Sequence, residues 1–280
     1  MVPEKAQKKF AARYANQVQE LLVLTAEGVR GAAKWGDGLW EPSCRLLAYI
    51  DLADNSLHGG LNQPESVLQW LVGDDEHSGW RFGLQPRTIY RVKVKALQGK
   101  LADRYFMLLE VLERLPEHQL LSPIRQAYLQ PVTLTDPDLP GVCFELEREF
   151  DWFITQLDWL GENCSVSLET TEDKEDATAA LAVFKQFYAE LPAWDAKMRA
   201  FAAAKLTANA NAWQEDCSDE GEVYPITEDD FARRISVCDF SMDSDGDFTA
   251  YFADDDMFFG HSILVEGNIN GELSDAYLAG

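Results

Sequence analysis

The sequence predicts an α+β protein: a β-rich N-terminal domain, followed by an α+β domain whose antiparallel sheet packs on helices. Three observations carry this. "TIYRVKVKAL" alternates, with Ile89, Arg91, Lys93 and Lys95 on one face and Tyr90, Val92 and Val94 on the other. "ATAALAVFKQFYAEL" puts Leu181, Phe184, Phe187, Tyr188 and Leu191 on one helical stripe. The last quarter breaks into "RRISVCDFSM", "DFTAYFA", "HSILVEGNI" and "ELSDAYLAG". Asp245-Gly246 and Asn270-Gly271 join pairs of these runs and accept the positive φ of hairpin turns.

The elements follow in order. Residues 1–15 are polar and predict a flexible N-terminus. "VQELLVLTAE" is a strand rich in Val, Leu and Thr. "GVRGAAKWGDGLWEP" reads as a Gly-rich loop carrying Trp35 and Trp40, and "SCRLLAYIDL" as a second strand. "PESVLQWLVG" fits a short helix ending at Gly73, and "RYFMLLEVLERL" fits either a helix or a strand. "TLTDPDLPGV" is the best linker, so the domains are expected at 16–138 and 139–280. Beyond it, "VCFELEREF" alternates and "CSVSLET" is a strand. Asp173 or Asp176 caps the first helix, Pro192 interrupts it, and an alanine-rich helix runs on to about residue 213. "QEDCSDEGEVYPITEDD" reads as an acidic loop.

Charge restricts function more than length does. The chain of 280 residues has a net charge of −24. Residues 1–140 hold 16 Lys+Arg and 17 Asp+Glu, a balance of −1, whereas residues 141–280 hold 8 and 31, a balance of −23. Residues 213–280 alone carry −16, from two arginines and 18 acids. Such a field repels nucleic acid and anionic lipid and attracts cationic partners. No apolar run approaches the roughly 20 residues of a membrane helix, and no secretory signal is read, so a cytoplasmic location is expected. The five cysteines are odd in number and lack CxxC spacing, which predicts small buried side chains rather than disulfides or zinc.

The run "DSDGDFTAYFADDDMFFGHSI" concentrates the candidate chemistry. Asp243, Asp245 and Asp247 mimic the start of a calcium loop, but glycine comes at position 4 and position 12 is Asp254, against the glycine at 6 and glutamate at 12 that such a loop needs. A hairpin tip accounts for them better. In "ADDDM", Asp254 can bond back to the backbone, leaving its neighbours to meet water or a partner. His261 is a candidate base or ligand, but strand alternation turns Ser262 away from it. His58, His77 and His118 lack ligand spacing. Glu145, Glu147 and Glu149 share one strand face, better read as solvated than as a carboxylate pair. Patterns such as GxSxG, HExxH, the P-loop and GxGxxG do not occur.

Several segments carry a resemblance. They are "FDWFITQLDWLG" at 150–161, the helix from Trp194-Asp195 to "AW" at 212–213, and "DGDFTAYFADDDMFFGHSILVEGNINGEL" at 245–273, with the closing glycine. The C-terminal half resembles the bacterial domain-of-unknown-function family 2262. The N-terminal half, with "AYID" and "IYRVKVKAL", resembles the domain commonly found ahead of it. The resemblance implies a bacterial cytosolic protein without a known catalytic motif. By analogy with similar acidic α+β domains, it also points toward immunity proteins of toxin systems.

The expectation is therefore a non-enzymatic immunity protein without cofactor. Its partner would be a cognate protein toxin or effector with a basic surface, and neither nucleic acid nor a membrane. The expected contacts are Asp254, Asp255 and Asp256, the acidic loop with Asp216, Asp219, Glu220, Glu222, Asp229 and Asp230, and the aromatics Trp35 and Trp40. The alternative is a metal-dependent enzyme or regulator using His261 and nearby aspartates. A nucleic-acid mimic is a third possibility, and it needs acids at phosphate-like spacing.

Overall fold

The computed structural model describes residues 2–29, 31–36, 38–61, 63–76, 79–217 and 224–279. Strand exceeds helix, 41% against 24%, and the strands form two sheets. The chain divides into two compact units, Met1–Gln130 and Pro131–Gly280.

The first unit comprises α1 (Glu4–Ala11), β1 (Gln19–Thr25), β2 (Ala32–Gly36), β3 (Leu39–Asp51), β4 (Ser56–Gly59), β5 (Ser66–Gln69), β6 (Val72–Gly73), β7 (Ile89–Ala96), β8 (Tyr105–Leu115) and α2 (Leu121–Tyr128). β1 pairs with both β3 and β7, β7 pairs with β8, β8 runs parallel to β5, and β5 pairs with β3. The ring therefore closes. Counted along the chain, its five strands meet as first, second, third, fifth, fourth and first again, the order of OB-type barrels. Closure leaves these five strands without a free edge. Leu21, Val23, Leu46, Leu68, Val92, Val94 and Phe106 fill one shared core.

The barrel's outer side is also covered. Leu22, Leu24, Leu47, Ile50 and Ile89 pack with Leu121 of α2. That explains why "LVLT" in β1 is buried without alternation. The expected flexible N-terminus is instead α1 and the turn after it. Phe10 and Tyr14 are buried there against Leu39, Leu71 and Met107.

Three local expectations are corrected in this unit. The Gly-rich stretch around Trp35 and Trp40 is a hairpin of β2 and β3 rather than a loop. "PESVLQWLVG" is not helical: Ser66 and Leu68 are buried while Val67 and Gln69 are half-buried, and β5 is needed to close the barrel. "RYFMLLEVLERL", open between helix and strand, is the long strand β8, bulged twice against β7.

The second unit comprises β9 (Thr133–Thr135), β10 (Cys143–Glu147), β11 (Trp152–Trp159), β12 (Glu162–Glu169), α3 (Thr178–Ala189), α4 (Leu191–Cys217), α5 (Glu228–Arg234), β13 (Ser236–Met242), β14 (Asp247–Ala253), β15 (Ser262–Asn268) and β16 (Leu273–Ala279). Its eight strands run in the order β16-β15-β14-β13-β12-β11-β10-β9. β9 lies inside the stretch expected to be a linker. The sheet is not wholly antiparallel, since β12 and β13 are parallel. A parallel pair needs a long crossover, and α3, α4 and α5 supply it.

One face of this sheet meets the helices. Val166, Leu168, Phe240, Phe248 and Val265 share a core with Phe184, Phe187, Trp194 and Met198. Phe187 is central, with ring centroids 4.7 Å from Phe240, 5.1 Å from Trp194, 5.3 Å from Phe248 and 5.9 Å from Trp159. Ala202, Ala203 and Ala210 are buried, so the lack of bulk lets α4 lie close. Asp195 joins helix to sheet: it accepts from Trp159 Nε1 at 3.0 Å and pairs with Arg199 at 2.6 Å. By the two-residue alternation, Trp152, Glu169, Asp239, Ser241, Thr249 and Glu266 project from the other face.

Candidate functional site

The acidic positions expected from the sequence separate by environment. Asp254 is buried, 5% exposed. Its Oδ2 accepts the backbone N–H of Phe258 at 2.6 Å and of Gly260 at 3.2 Å, and its Oδ1 that of Asp256 at 3.3 Å. It is therefore an organiser of the β14–β15 loop, and its burial leaves little of it for the partner contact expected from the sequence. Asp255 is exposed but pairs with Arg234 at 2.6 Å. Asp256 remains exposed. Asp255, Asp256 and Phe259 all have φ near +50° to +60°, conformations that cost energy in non-glycine residues and that the bonds to Asp254 help hold. Phe259 is 58% exposed and stacks on Trp213 at 5.8 Å.

The expected acidic loop is partly a helix. Thr227 caps α5 by accepting the N–H of Asp230 at 3.1 Å. The Thr227 hydroxyl also donates to the Asp230 carboxylate at 2.7 Å, and this bond first, then the charge of Arg233, holds that carboxyl below its usual range. Asp229 lies exposed in the first turn of α5, where the helix dipole favours an acid. "TEDD" is the capping signal that the acidic composition concealed. Asp216 is in the last turn of α4, with its side chain outside the described residues, and Asp219, Glu220 and Glu222 also lie outside them.

The aromatics and the histidine take structural positions. Trp35 packs edge-on against Phe10 at 6.2 Å, and the Lys9 ammonium sits 5.4 Å from its ring. Trp40 donates to Asp74 at 2.6 Å. Both rings are half-buried. His261 Nδ1 lies 2.6 Å from the Phe258 carbonyl, and its ring stands edge-on to Trp213. His77 lies outside the described residues. Cys44 and Cys164 are buried as expected, and burial pushes their thiols up to about 12. Cys143 and Cys238 are exposed, against expectation. The Cys217 side chain lies outside the described residues.

A concave site appears where the sequence showed none. At the end of the sheet opposite the Asp254 loop, the β13–β14 and β15–β16 hairpins border a groove of about 530 Å³. Carboxylates arrive from three stretches of the chain: Glu169, Asp243 with Asp247, and Glu266 with Glu272. Trp152, the cross-strand neighbour of Glu169, forms one wall; Met242 and Phe248 also border the groove, but their side chains are buried in the core. Of the expected calcium-like trio, Asp243 and Asp247 line the groove and Asp245 does not.

Neutral partners orient three of these acids without cancelling their charge. Asp243 Oδ1 accepts the N–H groups of Asp245 and Asp247 at 2.8 and 3.0 Å. Asp247 accepts from Asn268 at 2.7 Å, and Glu266 from the Tyr277 hydroxyl at 2.7 Å. The Glu266 bond holds the Tyr277 phenol above its usual range, since ionisation would place two anions together. Farther along the open face, partial burial raises the Asp239 carboxyl, opposed by a hydrogen bond with Ser165. Among the described residues no three acid, histidine or cysteine groups come close enough to hold a metal ion.

Cations do not neutralise the groove. None of the eight Lys and Arg side chains of residues 141–280 lines it, although Lys197 reaches the β15–β16 hairpin at its border. Arg148, Lys174, Lys185, Arg199, Lys205, Arg233 and Arg234 pair with other carboxylates, and Lys197 donates to the Gly271 carbonyl. Residues from six strands and two turns make this site, and besides Asp243 and Asp247 of the acidic run, strand alternation was its signal in the sequence. It placed Glu169 and Glu266 on the face away from the core without showing that they share a site.

Comparison with known proteins gives families without an activity. Residues 142–278 match a family described as an uncharacterized protein conserved in bacteria, DUF2262. Residues 6–128 match a domain of unknown function, DUF7021. The tandem arrangement expected from the resemblance is present. No curated protein matches. Two structures of the single-stranded DNA binding protein from Thermus aquaticus, a deletion mutant and the wild type, align at 13% and 12% identity. They cover 56% of this chain and 76% and 74% of their own, at TM-scores of 0.20 and 0.22. That likeness carries no argument about ligand. Among the described residues no helix is long and apolar enough to cross a membrane.

Proposed function

We propose that this protein is a non-enzymatic bacterial immunity protein that binds and neutralises a cognate protein toxin or effector with a basic surface. The observation that carries the proposal is the unbalanced charge of the second unit. Its basic side chains are already engaged, while the groove acids meet only neutral groups. A field of this kind speeds the encounter with a basic partner, and aromatic contacts then slow dissociation. The acidic open face replaces the Asp254–Asp256 loop as the main contact.

Full-length protein immobilised as bait in a lysate of the native bacterium, eluted by a salt gradient, supplies the partner. The decisive step is reconstitution. The captured basic protein should inhibit growth when expressed alone, and co-expression with this chain should restore growth. A partner whose effect on growth is unchanged by co-expression excludes the immunity function.

A further inference from the structure

We propose that the groove receives an arginine side chain of the basic protein partner. The inference rests on the basic-partner proposal above and assigns the contact that would define it. A groove of about 530 Å³ accommodates one long side chain with room for its backbone, within the roughly 300–1,000 Å³ of binding pockets generally.

The lining selects the chemistry. Five carboxylates and no lysine, arginine or histidine line the groove among the described residues. An anionic or neutral polar guest would meet uncompensated negative charge there. A compact divalent ion is disfavoured as well, because the carboxylates do not gather into a coordinating group. Dispersed carboxylates suit a cation whose own charge is delocalised.

Trp152 narrows the choice between the two basic side chains. Its indole stands across the strand pair from Glu169, on the same face. A planar guanidinium stacks on an indole while its edge donates to a neighbouring carboxylate, whereas an ammonium is a compact and strongly hydrated charge. The Trp152 ring also offers apolar surface for the aliphatic stem of the guest. Ser241, Thr249 and Asn268 complete the polar lining.

The test uses the full chain with ¹⁵N-labelled tryptophan, the Trp152 indole resonance being identified with Trp152→Phe. Nα-acetyl-arginine amide should shift that resonance saturably, about fivefold more tightly than Nα-acetyl-lysine amide. The paired change Glu169→Gln and Glu266→Gln should abolish the shift while thermal unfolding stays as in the parent. Glu266→Gln keeps an acceptor for the Tyr277 hydroxyl, so loss of binding would report lost charge. Equal affinity for the two amides overturns the choice of arginine. A Trp152 resonance that never moves overturns the groove.

A hexa-arginine peptide separates this inference from its parent. Salt-sensitive binding that survives the paired glutamine changes leaves the basic-partner proposal standing and removes the groove. No binding at low salt removes both.

Discussion

The Asp254–Asp256 loop and the hairpin groove lie at opposite ends of one sheet, and both are acidic. In the loop, three adjacent carboxylates diverge: Asp254 turns inward to three N–H groups, Asp255 meets Arg234, and Asp256 faces solvent. In the groove, carboxylates from three stretches of the chain, Glu169, Asp243 with Asp247, and Glu266 with Glu272, border one concavity with Trp152. Neighbouring acids repel one another, so a chain that places them side by side disperses them locally. Convergence instead needs strands to carry the charges to a common place. A dense acidic run is thus a partial guide to an acidic site: Asp243 and Asp247 of that run line the groove, whereas Asp254 does not.

This contrast can be broken experimentally, most severely at Asp254. Asp254→Ala leaves three N–H groups without their carboxylate and should destabilise the second unit by about 3 kcal/mol in chemical denaturation, a typical cost for buried charge-assisted bonds. Glu169→Gln in the groove should change stability negligibly. Equal losses at the two positions would erase the distinction between a structural and an available carboxylate.

A smaller effect is expected at Asp239, on the open face. Its folded pKa is raised above the ordinary 3.8, chiefly by burial. The stability associated with its protonated form is therefore full below the unfolded pKa and is lost as pH rises through the folded value. At neutral pH the ionised group opposes folding. Asp239→Asn should stabilise the protein by roughly 0.5 kcal/mol at pH 7, after discounting for solvent screening, and should flatten the stability profile above pH 4. A stability gain as large at pH 3 as at pH 7 would show that charge is not the cause.

The smallest effect is expected at Arg234. Its pair with Asp255 is largely exposed, so Arg234→Ala should cost about 0.3 kcal/mol, fading in high salt. It should also leave Asp255 more available to a cationic partner and modestly increase the association rate. A loss above about 2 kcal/mol would mean that Arg234 supports the loop as Asp254 does.

Much of the second unit was legible because its signals are local. The helical stripe of α3, the break at Pro192, and the Asp-Gly and Asn-Gly turns depend on side-chain period and backbone preference over a few residues. The same is true of the charge excess, which is a property of composition. In the first unit, alternation found β7, but β5 was mistaken for a helix because four residues of a barrel strand are too short for a period to identify. Phe10 and Tyr14 were hidden within a polar segment, and their burial depends on partners as distant as Met107.

By itself, the sequence determined the β-rich first half, the principal helices, the final hairpins and the acidic imbalance, since short-range periodicity and formal charge need no partner in space. Only the tertiary structure decided that the first unit closes into a barrel and that β12 and β13 run parallel. It also removed Asp254 from the surface and brought Trp152, Glu169 and Glu266 to one groove. These outcomes depend on which strands become neighbours. Strand pairing joins residues as far apart as Gln19 and Val94, and no local pattern records it.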